Sequence, residues 1–493
     1  MTVKGYAKYL LVMAGLGGLI YGVDVGVIAA ALPYIRNTSN YTSVQLGFIV
    51  GAVLWGSVVS SLFAGSLSEW LGRKKIIIAS AFCFFISIPV ISASGFFEGG
   101  NFLLLTLGRT LQGASAGLVG VVVPMYLAEC LDSESRGKGT GMFQLLLTIG
   151  LAFAAVVGLV VTGVVGDSDK IIKELNGAAP SAEQIAGWVK AWQTIFWCSA
   201  VPGFILFLGG FFLKESPRWL YKRGRKDEAL ASLAANNGEE KAKEILAEMI
   251  AADEAAAAEK AAIAQAAKGD SLWQRKYVYP FCLAVVILAC NQTTGINSVL
   301  NYTVDIFKAT GMEGVFANFS DLAIKLINVF MTIVACTLVD KKGRKFLLKL
   351  GTSGIIIGLC GVATTFLVIS KGLVAASMTT GVIATVFFFM FIAFYAVGPG
   401  VCVWLALSEL MPTRIRATGM SIAMIINQGV SATIASVFPA WKDAWGFPAV
   451  FYCLAGFTVV YFIAAAFFLP ETKGRTLEEI EKYFTTGKMP EKK

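Results

Sequence analysis

The chain has 493 residues, of which 56% are hydrophobic and only 15% are charged, and this composition excludes an ordinary soluble globular protein. Its formal net charge is +9, and it contains no histidine, so any proton chemistry near neutral pH must fall to a carboxylate. The nine cysteines lack paired metal-ligand spacing, so we expect them to be reduced and we expect no metal and no cofactor.

Apolar runs of roughly 20 residues recur along the chain, which is the length a helix needs to cross about 30 Å of hydrocarbon. They are too long for the strands of a membrane barrel. The first run is also longer than the core of a cleaved signal peptide, so we expect it to stay in the membrane. The sequence predicts an all-α polytopic membrane protein with about twelve transmembrane helices. The runs lie near residues 8–33, 44–68, 75–95, 102–128, 138–166, 190–213, 278–308, 320–339, 346–370, 376–409, 415–440 and 447–469.

The first run contains a single acidic residue, Asp24, in the stretch GGLIYGVDVGVIAAAL. A carboxylate inside a membrane span is costly unless it is paired, so a functional role is favoured over a structural one. Arg109 is the only arginine within the apolar runs of the first half, and it lies in GRTLQG near the start of the fourth run. We predict that Arg109 is the partner of Asp24.

Lysine and arginine are concentrated in alternate connections between the runs, and the intervening connections carry few. The positive-inside rule therefore places both termini in the cytoplasm, as an even number of crossings requires. This bias accounts for the net charge of +9 without a nucleic-acid partner. The basic connections are Lys4 with Lys8, GRKK at 72–75, ESRGKG at 134–139, the segment 214–277, DKKGRK at 340–345, RIR at 414–416 and the tail.

Three sequence features recur in the same order in both halves of the chain. This repetition predicts two parallel six-helix halves, 1–213 and 278–470, which is the arrangement of the major facilitator fold, with substrate bound between the halves at the bilayer midplane. The linker 214–277 is rich in Ala, Glu and Lys and is predicted to form short cytoplasmic helices, as either a spacer or an inner latch, and 471–493 is the cytoplasmic tail. The repeated features are LGRKK with KKGRK, Glu129 and Arg136 with Glu409 and Arg416, and KESPRWL with PETKGR.

Together these motifs resemble a family, the sugar porters of the major facilitator superfamily, which include glucose facilitators and bacterial galactose, arabinose and xylose proton symporters. The first helix is most similar to the galactose and arabinose proton symporters. The resemblance covers nearly the whole chain and rests on motifs whose order and spacing are very specific together. They are GRTLQG at 108–113, PMYLAE at 124–129 followed by Arg136-Gly137, ESPRWL at 215–220, NQTTGINSVLNY at 291–302, DKKGRK at 340–345, GPGVCVWLALSE at 398–409 and PETKGRTLEEIE at 470–481.

The resemblance implies a proton-coupled monosaccharide symporter for a hexose such as galactose or glucose, in the cell membrane and functional as a monomer. Asp24 would then be the proton-coupling residue, with Arg109 as its partner. A sugar is uncharged and carries many hydroxyl groups, so its site needs amides that donate and accept and an aromatic face. The residues implied for sugar binding are Gln144, Gln292, Asn297, Asn328, Asn427 and Trp404.

Gating residues are also implied. Pro399 in GPG interrupts the tenth helix, and Thr293 and Thr294 beside Gly295 indicate a similar bend in the seventh. Asn301 and Tyr302 lie about two turns further on, where an outer gate would close.

Arginine forms bidentate pairs with carboxylates, so an inner lock is expected from a cluster of four side chains. These are Glu129, Arg136, Glu409 and Arg416.

Some positions depart from the family pattern and leave the identity of the sugar open. Asn291 replaces a usual glutamine, Ala396 replaces the glutamate of glucose facilitators, and Gln428 replaces a common tryptophan. The remaining alternatives are a passive sugar facilitator, which tends to have a neutral residue at the position of Asp24, and a transporter-like nutrient sensor, which needs a long signalling tail. A membrane enzyme is disfavoured because the sequence has no metal-ligand cluster, nucleophile elbow or phosphate loop.

Overall fold

The computed structural model describes residues 3–131, 133–266, 271–412, 414–471, 479–480 and 483–484. Within these ranges, side chains are described except at 4, 133–141, 252–253, 255–266, 336, 339–340, 404–409 and 416–417. We call the end of the bundle that holds the N terminus the inner face, following the predicted orientation, and the opposite end the outer face.

The described chain is helical almost throughout, because its long apolar runs satisfy their backbone polar groups internally. Short non-α turns lie at Ser94–Phe96 and Ala464–Phe468. The α-helices are α1 (Val3–Thr38), α2 (Ser43–Leu71), α3 (Arg73–Ala93), α4 (Phe102–Cys130), α5 (Ser133–Val165), α6 (Ser168–Glu174), α7 (Ala182–Gly210), α8 (Pro217–Lys222), α9 (Lys226–Asn237), α10 (Glu239–Ala266), α11 (Arg275–Thr293), α12 (Ile296–Ala309), α13 (Gly314–Lys342), α14 (Arg344–Ser370), α15 (Met378–Val397), α16 (Pro399–Leu410) and α17 (Arg416–Ile463).

Eleven helical segments of the described chain are long and apolar enough to cross a membrane. The last of them, Thr418–Phe468, has 51 residues, which is about twice the length that one crossing requires. Gly446 breaks the helix inside this segment with φ 75° and ψ 162°, a conformation that glycine adopts without strain. The segment therefore makes two crossings, and the predicted all-α architecture of twelve crossings is confirmed.

Two further crossings are each divided into two helices, as the sequence predicts. Gly295, with φ 80° and ψ 13°, separates α11 from α12. Gly398, with φ −100° and ψ −94°, separates α15 from α16, and Pro399 begins α16, where the missing N–H of proline costs no hydrogen bond. The breaks leave backbone carbonyl and N–H groups free of their helical partners inside the bundle.

The repeated Gly-Arg turns have the same structure in both halves. Gly72, between α2 and α3, has φ 99°, and Gly343, between α13 and α14, has φ 88°. Glu215 accepts a hydrogen bond from the backbone N–H of Arg73 at 2.8 Å, and Glu471 accepts one from that of Arg344 at 3.2 Å. The glutamates of KESPRWL and PETKGR therefore cap the helices that follow these turns, and this capping explains why these two motifs recur together.

The linker begins against the inner face of the first half. Trp219 of α8 donates its indole N–H to the carbonyl of Glu69 at 2.7 Å, and Asn236 of α9 donates to the carbonyl of Cys130 at 2.8 Å. Its third helix, α10, has 28 residues, so it is not one of the short helices that the composition suggests. The Ala, Glu and Lys residues that dominate α10 all have high helix propensity, which favours a long helix.

The packing between the halves is concentrated toward the outer face. There α1 packs against α12, α5 against α13, and α2 against the first arm of α17. One buried apolar cluster joins both halves and includes Ile35, Phe196, Tyr302 and Phe451. The two apolar clusters nearer the inner face each draw their buried residues from one half only: the first between residues 6 and 213 and the second between residues 283 and 484. The described structure is thus closed on its outer side.

Candidate transport site

Asp24 lies near the middle of α1, and Arg109 of α4 faces it. Arg109 Nη1 is 3.4 Å from Asp24 Oδ1, and the two side chains are 1% and 0% exposed. This separation exceeds the 2.7–2.9 Å that is usual for a charge-assisted hydrogen bond. The other carboxylate oxygen, Asp24 Oδ2, has no hydrogen-bond partner in the described part of the chain. The pair is therefore buried but loosely engaged.

The guanidinium of Arg109 is held more closely by uncharged neighbours. Gln112, one turn along α4, accepts a hydrogen bond from Arg109 Nη1 at 2.8 Å. The guanidinium carbon lies 5.7 Å from the centre of the Phe196 ring, which is within the range of a cation–π contact. Arg109 also lies within electrostatic range of Tyr302 in α12. Gln112 and Phe196 carry no charge, so their contacts with Arg109 do not depend on the charge of Asp24.

The candidate sugar-binding amides of the second half cluster around the break between α11 and α12. Asn297 donates to Gln292 Oε1 at 3.0 Å and to Ser431 Oγ at 2.7 Å. Asn427 is 1% exposed, yet its amide nitrogen and oxygen both lack a hydrogen-bond partner among the described residues. An unpaired buried amide is costly, so Asn427 indicates a place for a polar ligand.

Other candidate sugar residues are less closely associated with this cluster. Asn328 of α13 is half-buried, and Gln144 of α5 is exposed. The side-chain amides of Gln144 and Asn328 form no hydrogen bond with another described residue. The side chain of Trp404 lies outside the described residues.

The predicted outer-gate residues are buried in the closed outer side. Asn301 is buried in α12, and Tyr302 donates its hydroxyl to the carbonyl of Ala435 at 3.0 Å. The Tyr302 ring stacks on Phe438, with ring centres 4.9 Å apart. These contacts join α12 to the first arm of α17.

A network of ion pairs also ties α12 to the first half at the outer face, and the sequence reasoning did not identify it. Arg36 of α1 pairs with Asp305 at 3.0 Å and with Asp169 of α6 at 3.1 Å. Lys308 of α12 pairs with Asp169 at 2.8 Å and contacts Asp167. A signal was present, because Arg36 and Lys308 are basic residues on the side that the positive-inside rule leaves poor in lysine and arginine.

Of the four predicted inner-lock side chains, only that of Glu129 is described. Glu129 forms a bidentate pair with Arg73 of the same half, with N···O distances of 2.9 and 2.8 Å, and it accepts a hydrogen bond from Ser216. The side chains of Arg136, Glu409 and Arg416 lie outside the described residues. The described contacts of Glu129 thus staple α4 to α3 and α8.

A further buried ion pair lies on α13 and was also missed. Lys325 Nζ is 2.7 Å from Asp321 Oδ2, and the side chains are 0% and 1% exposed. The two residues are one helical turn apart, in DLAIKLINVF. The signal was their position within an apolar helix, where a charged residue indicates function by default.

Comparison with known proteins identifies the family. The family model described as sugar (and other) transporter matches residues 10–484. The glucose transporter GlcP of Staphylococcus epidermidis is 31% identical over 482 residues, which cover 96% of each chain. The arabinose-proton symporter of Bacillus subtilis is 28% identical over 478 residues, which cover 97% of this chain and 95% of the relative.

A solved structure shares the fold. The inward open conformation of the xylose transporter XylE from E. coli superposes with a TM-score of 0.78 at 23% identity, covering 97% of this chain and 99% of the other. The chain therefore belongs to the sugar porter family of the major facilitator superfamily and is a multi-pass membrane transporter.

Proposed function

We propose that the chain is a proton-coupled monosaccharide symporter that works by alternating access, with a hexose such as galactose or glucose as its substrate. The observation that carries this proposal is the fully buried, loosely engaged pair of Asp24 and Arg109. A passive facilitator of a neutral sugar requires no carboxylate in the membrane interior, where a charged side chain is energetically costly. Similarity to a relative named as an arabinose-proton symporter supports the same reading.

The geometry of the pair suggests how a proton acts. Asp24 Oδ2 has no partner in the described structure and is the open position for the proton. Ionised Asp24 attracts Arg109 and holds α1 and α4 in a loose arrangement around the sugar site. Protonation removes that attraction, while Gln112 still holds the guanidinium, and the charge of Arg109 then acts on Tyr302 in the outer gate. The helices are then free to close around sugar.

The size of the driving force fits uphill transport. One proton that enters down 100 mV releases about 2.3 kcal/mol. That free energy corresponds to a sugar gradient of roughly 50-fold, since about 1.4 kcal/mol corresponds to each factor of ten.

The described ion pairs at membrane depth, Asp24 with Arg109 and Asp321 with Lys325, each sum to zero charge, which suits an uncharged substrate.

The sugar site in this proposal lies between the halves and is centred on the break between α11 and α12. Gln292 and Asn297 supply donors and acceptors, and Asn427 supplies an amide with no protein partner among the described residues. Gln144, Asn328 and Trp404 complete the set from α5, α13 and α16. A monosaccharide ring with hydroxyl groups on its edge and C–H groups on its faces matches such a mixture of amides and one aromatic side chain.

Alternating access in this proposal uses a lock at each face. The outer lock is the ion-pair network of Arg36, Asp169, Asp305 and Lys308, together with Asn301 and Tyr302. The inner lock is formed by Glu129, Arg136, Glu409 and Arg416 when the inner side closes, and Pro399 permits the bend of α15 and α16. The protein acts as a monomer in the cell membrane, with both termini in the cytoplasm.

The experiment uses purified protein in proteoliposomes with an inwardly directed proton gradient and a panel of radiolabelled hexoses and pentoses. A symporter accumulates its sugar above equilibrium, and a protonophore abolishes the accumulation. Asp24→Asn is expected to abolish accumulation while sugar binding remains. Asp227→Asn, on the exposed surface of α9, is the matched control and is expected to accumulate sugar as the unmodified protein does.

Three results would contradict the proposal. If the unmodified protein only equilibrates sugar whatever the proton gradient, it is a passive facilitator. If Asp24→Asn still accumulates sugar in a protonophore-sensitive manner, Asp24 is structural and coupling lies elsewhere. Sugar binding without any uptake would instead favour a transporter-like nutrient sensor.

A further inference from the structure

The polar residues of α13 form a continuous stripe on one face of that helix. Asn318, Asp321, Lys325, Asn328 and Thr332 follow one another at intervals of three and four residues, which places them on the same side. The stripe extends about 21 Å along the helix axis at 1.5 Å per residue. This is most of the thickness of a hydrocarbon core of about 30 Å. Asn318 donates to Thr162 of α5 at 3.3 Å and so has a packing role, whereas the charged pair has no comparable partner on a neighbouring helix among the described residues.

The charged pair in this stripe is completely buried. The 2.7 Å contact between Lys325 Nζ and Asp321 Oδ2 satisfies one oxygen of the carboxylate. Asp321 Oδ1 has no hydrogen-bond partner among the described residues. Replacement of a buried ion pair by apolar residues is commonly neutral or stabilising, so stability alone does not account for the pair.

The same arrangement occurs at Asp24. In each half of the protein, one fully buried aspartate contacts a cation through one oxygen and leaves the other oxygen without a described partner. The two aspartates belong to different sequence contexts, so the motif repeat between the halves does not produce the similarity. Each free oxygen is a position at which a proton can bind.

The outer-gate helix α12 lies between the two pairs. Tyr302 is within electrostatic range of Arg109, and the hydroxyl of the next residue, Thr303, lies beside Asp321. Thr303 itself donates to the carbonyls of Val299 and Leu300, so it leaves Asp321 Oδ1 free. Adjacent residues of one gating helix therefore lie close to the two charge pairs.

The elements around α13 bring no other described charge to Asp321. The described side chains of α5, at 142–165, include no charged residue, and α15 contributes only Tyr395 as a titratable group. On α12, Asp305 and Lys308 are engaged in the outer ion pairs. On α14, Arg344, Lys345 and Lys349 lie in the first two turns at the inner end, followed by Cys360, and α16 contributes Cys402 among its described side chains. Lys325 is the one charged neighbour that bears directly on Asp321.

We propose that the Asp321–Lys325 pair binds a second proton, on the Asp321 carboxylate, so that each sugar enters with two protons. The proton arrives when the outer side is open, forms an O–H bond at Oδ1 and leaves Lys325 as an uncompensated cation beside Asn328. The same proton dissociates toward the inner face, along the stripe through Asn328 and Thr332, when the inner side is open. No other bond forms or breaks, and the pair titrates as a unit.

The inference rests on the proposed symport, and one measurement separates the two. In proteoliposomes, the proton-motive force that stops net sugar movement is measured against an imposed sugar gradient. A tenfold gradient, worth about 1.4 kcal/mol, is balanced by about 60 mV if one proton accompanies each sugar and by about 30 mV if two do. The expected ratio of protons to sugar molecules is two for the unmodified protein and for Asp227→Asn, and one for Asp321→Asn.

The outcomes are distinct. A ratio of one in the unmodified protein would overturn the second proton and leave the symport standing. A ratio of two retained in Asp321→Asn would overturn the assignment of that proton to Asp321 and would also leave the symport standing. No dependence of sugar movement on the proton-motive force would overturn both proposals. Because the unmodified protein decides the ratio, poor folding of a variant does not prevent the test. The double variant Asp321→Asn/Lys325→Met, which removes both charges and leaves none unpaired, is expected to show a ratio of one.

Discussion

Arg36 of α1 and Asp305 of α12 form an ion pair at the outer face, with Nη1 and Oδ2 separated by 3.0 Å. Because α1 belongs to the first half and α12 to the second, this pair joins the halves directly. Arg36 also forms an ion pair with Asp169, and Asp169 forms another with Lys308 of α12. Two routes of charge pairing therefore connect α1 with α12. In the proposed cycle these pairs break when the outer side opens.

We predict that Arg36→Gln shifts the population toward the outward-open state, because it removes charge pairing that exists only in the closed arrangement. Spin labels at the exposed positions Asn40 and Ala309, one in each half, report the change as a longer inter-label distance. Arg225→Gln, which removes an exposed ion pair with Glu228 in the linker, is the control and leaves the distances unaltered. Unaltered distances in Arg36→Gln as well would show that the outer ion pairs do not hold the gate.

A second prediction concerns the stability of the first half. In Glu129→Gln, the guanidinium of Arg73, 5% exposed, loses its bidentate partner and remains buried. The free energy of unfolding is expected to fall by about 3–5 kcal/mol, as it does when one partner of a buried ion pair is removed. Thermal unfolding of the purified protein measures it as a lowered midpoint.

Glu228→Gln supplies the comparison for that measurement, because Glu228 forms an ion pair with Arg225 in which both side chains are exposed. An exposed pair contributes about 0–1 kcal/mol, so its midpoint should hardly change. Equal midpoints for the two variants would contradict the role of the buried Glu129–Arg73 ion pair in stabilising the first half.

The third prediction concerns the sugar site. Gln292→Ala and Asn297→Ala are each expected to weaken sugar binding by about 1–3 kcal/mol, because sugar hydroxyl groups are left without partners. Isothermal calorimetry measures the loss, and Asn40→Ala, at an exposed position, is expected to retain the original affinity. Unchanged affinity in both site variants would place the sugar elsewhere.

Much of the fold follows from the sequence because the bilayer imposes a helix length and excludes unpaired backbone groups. The breaks at Gly295 and Gly398 were predictable for a local reason, since glycine and proline interrupt a helix wherever they cluster. Asp24 and Arg109 were predictable because a charge is rare inside an apolar run. Their pairing is found in the structure, whereas the coupling role stays a prediction.

Other features depend on tertiary structure and could not be read from the runs. The sequence predicts an apolar run at 320–339, which leaves Asp321 and Lys325 near its edge. The helix begins at Gly314, seven residues before Asp321, which places the pair inside the membrane. The outer ion pairs require α1, α6 and α12 to meet, and no spacing along the chain encodes that meeting. Likewise, the pairing of Glu129 with Arg73 depends on the packing of α3 against α4.

The central claim is that a proton enters with the sugar through Asp24, and sugar-evoked proton movement tests it most directly. Sugar is added outside proteoliposomes on which no proton gradient or membrane potential is imposed. The external pH is followed in weakly buffered medium. The account predicts that the unmodified protein and Asp227→Asn make the medium more alkaline as sugar enters, whereas Asp24→Asn binds sugar without alkalinisation. Sugar entry into vesicles of the unmodified protein with no change in pH, or full alkalinisation by Asp24→Asn, would contradict the account.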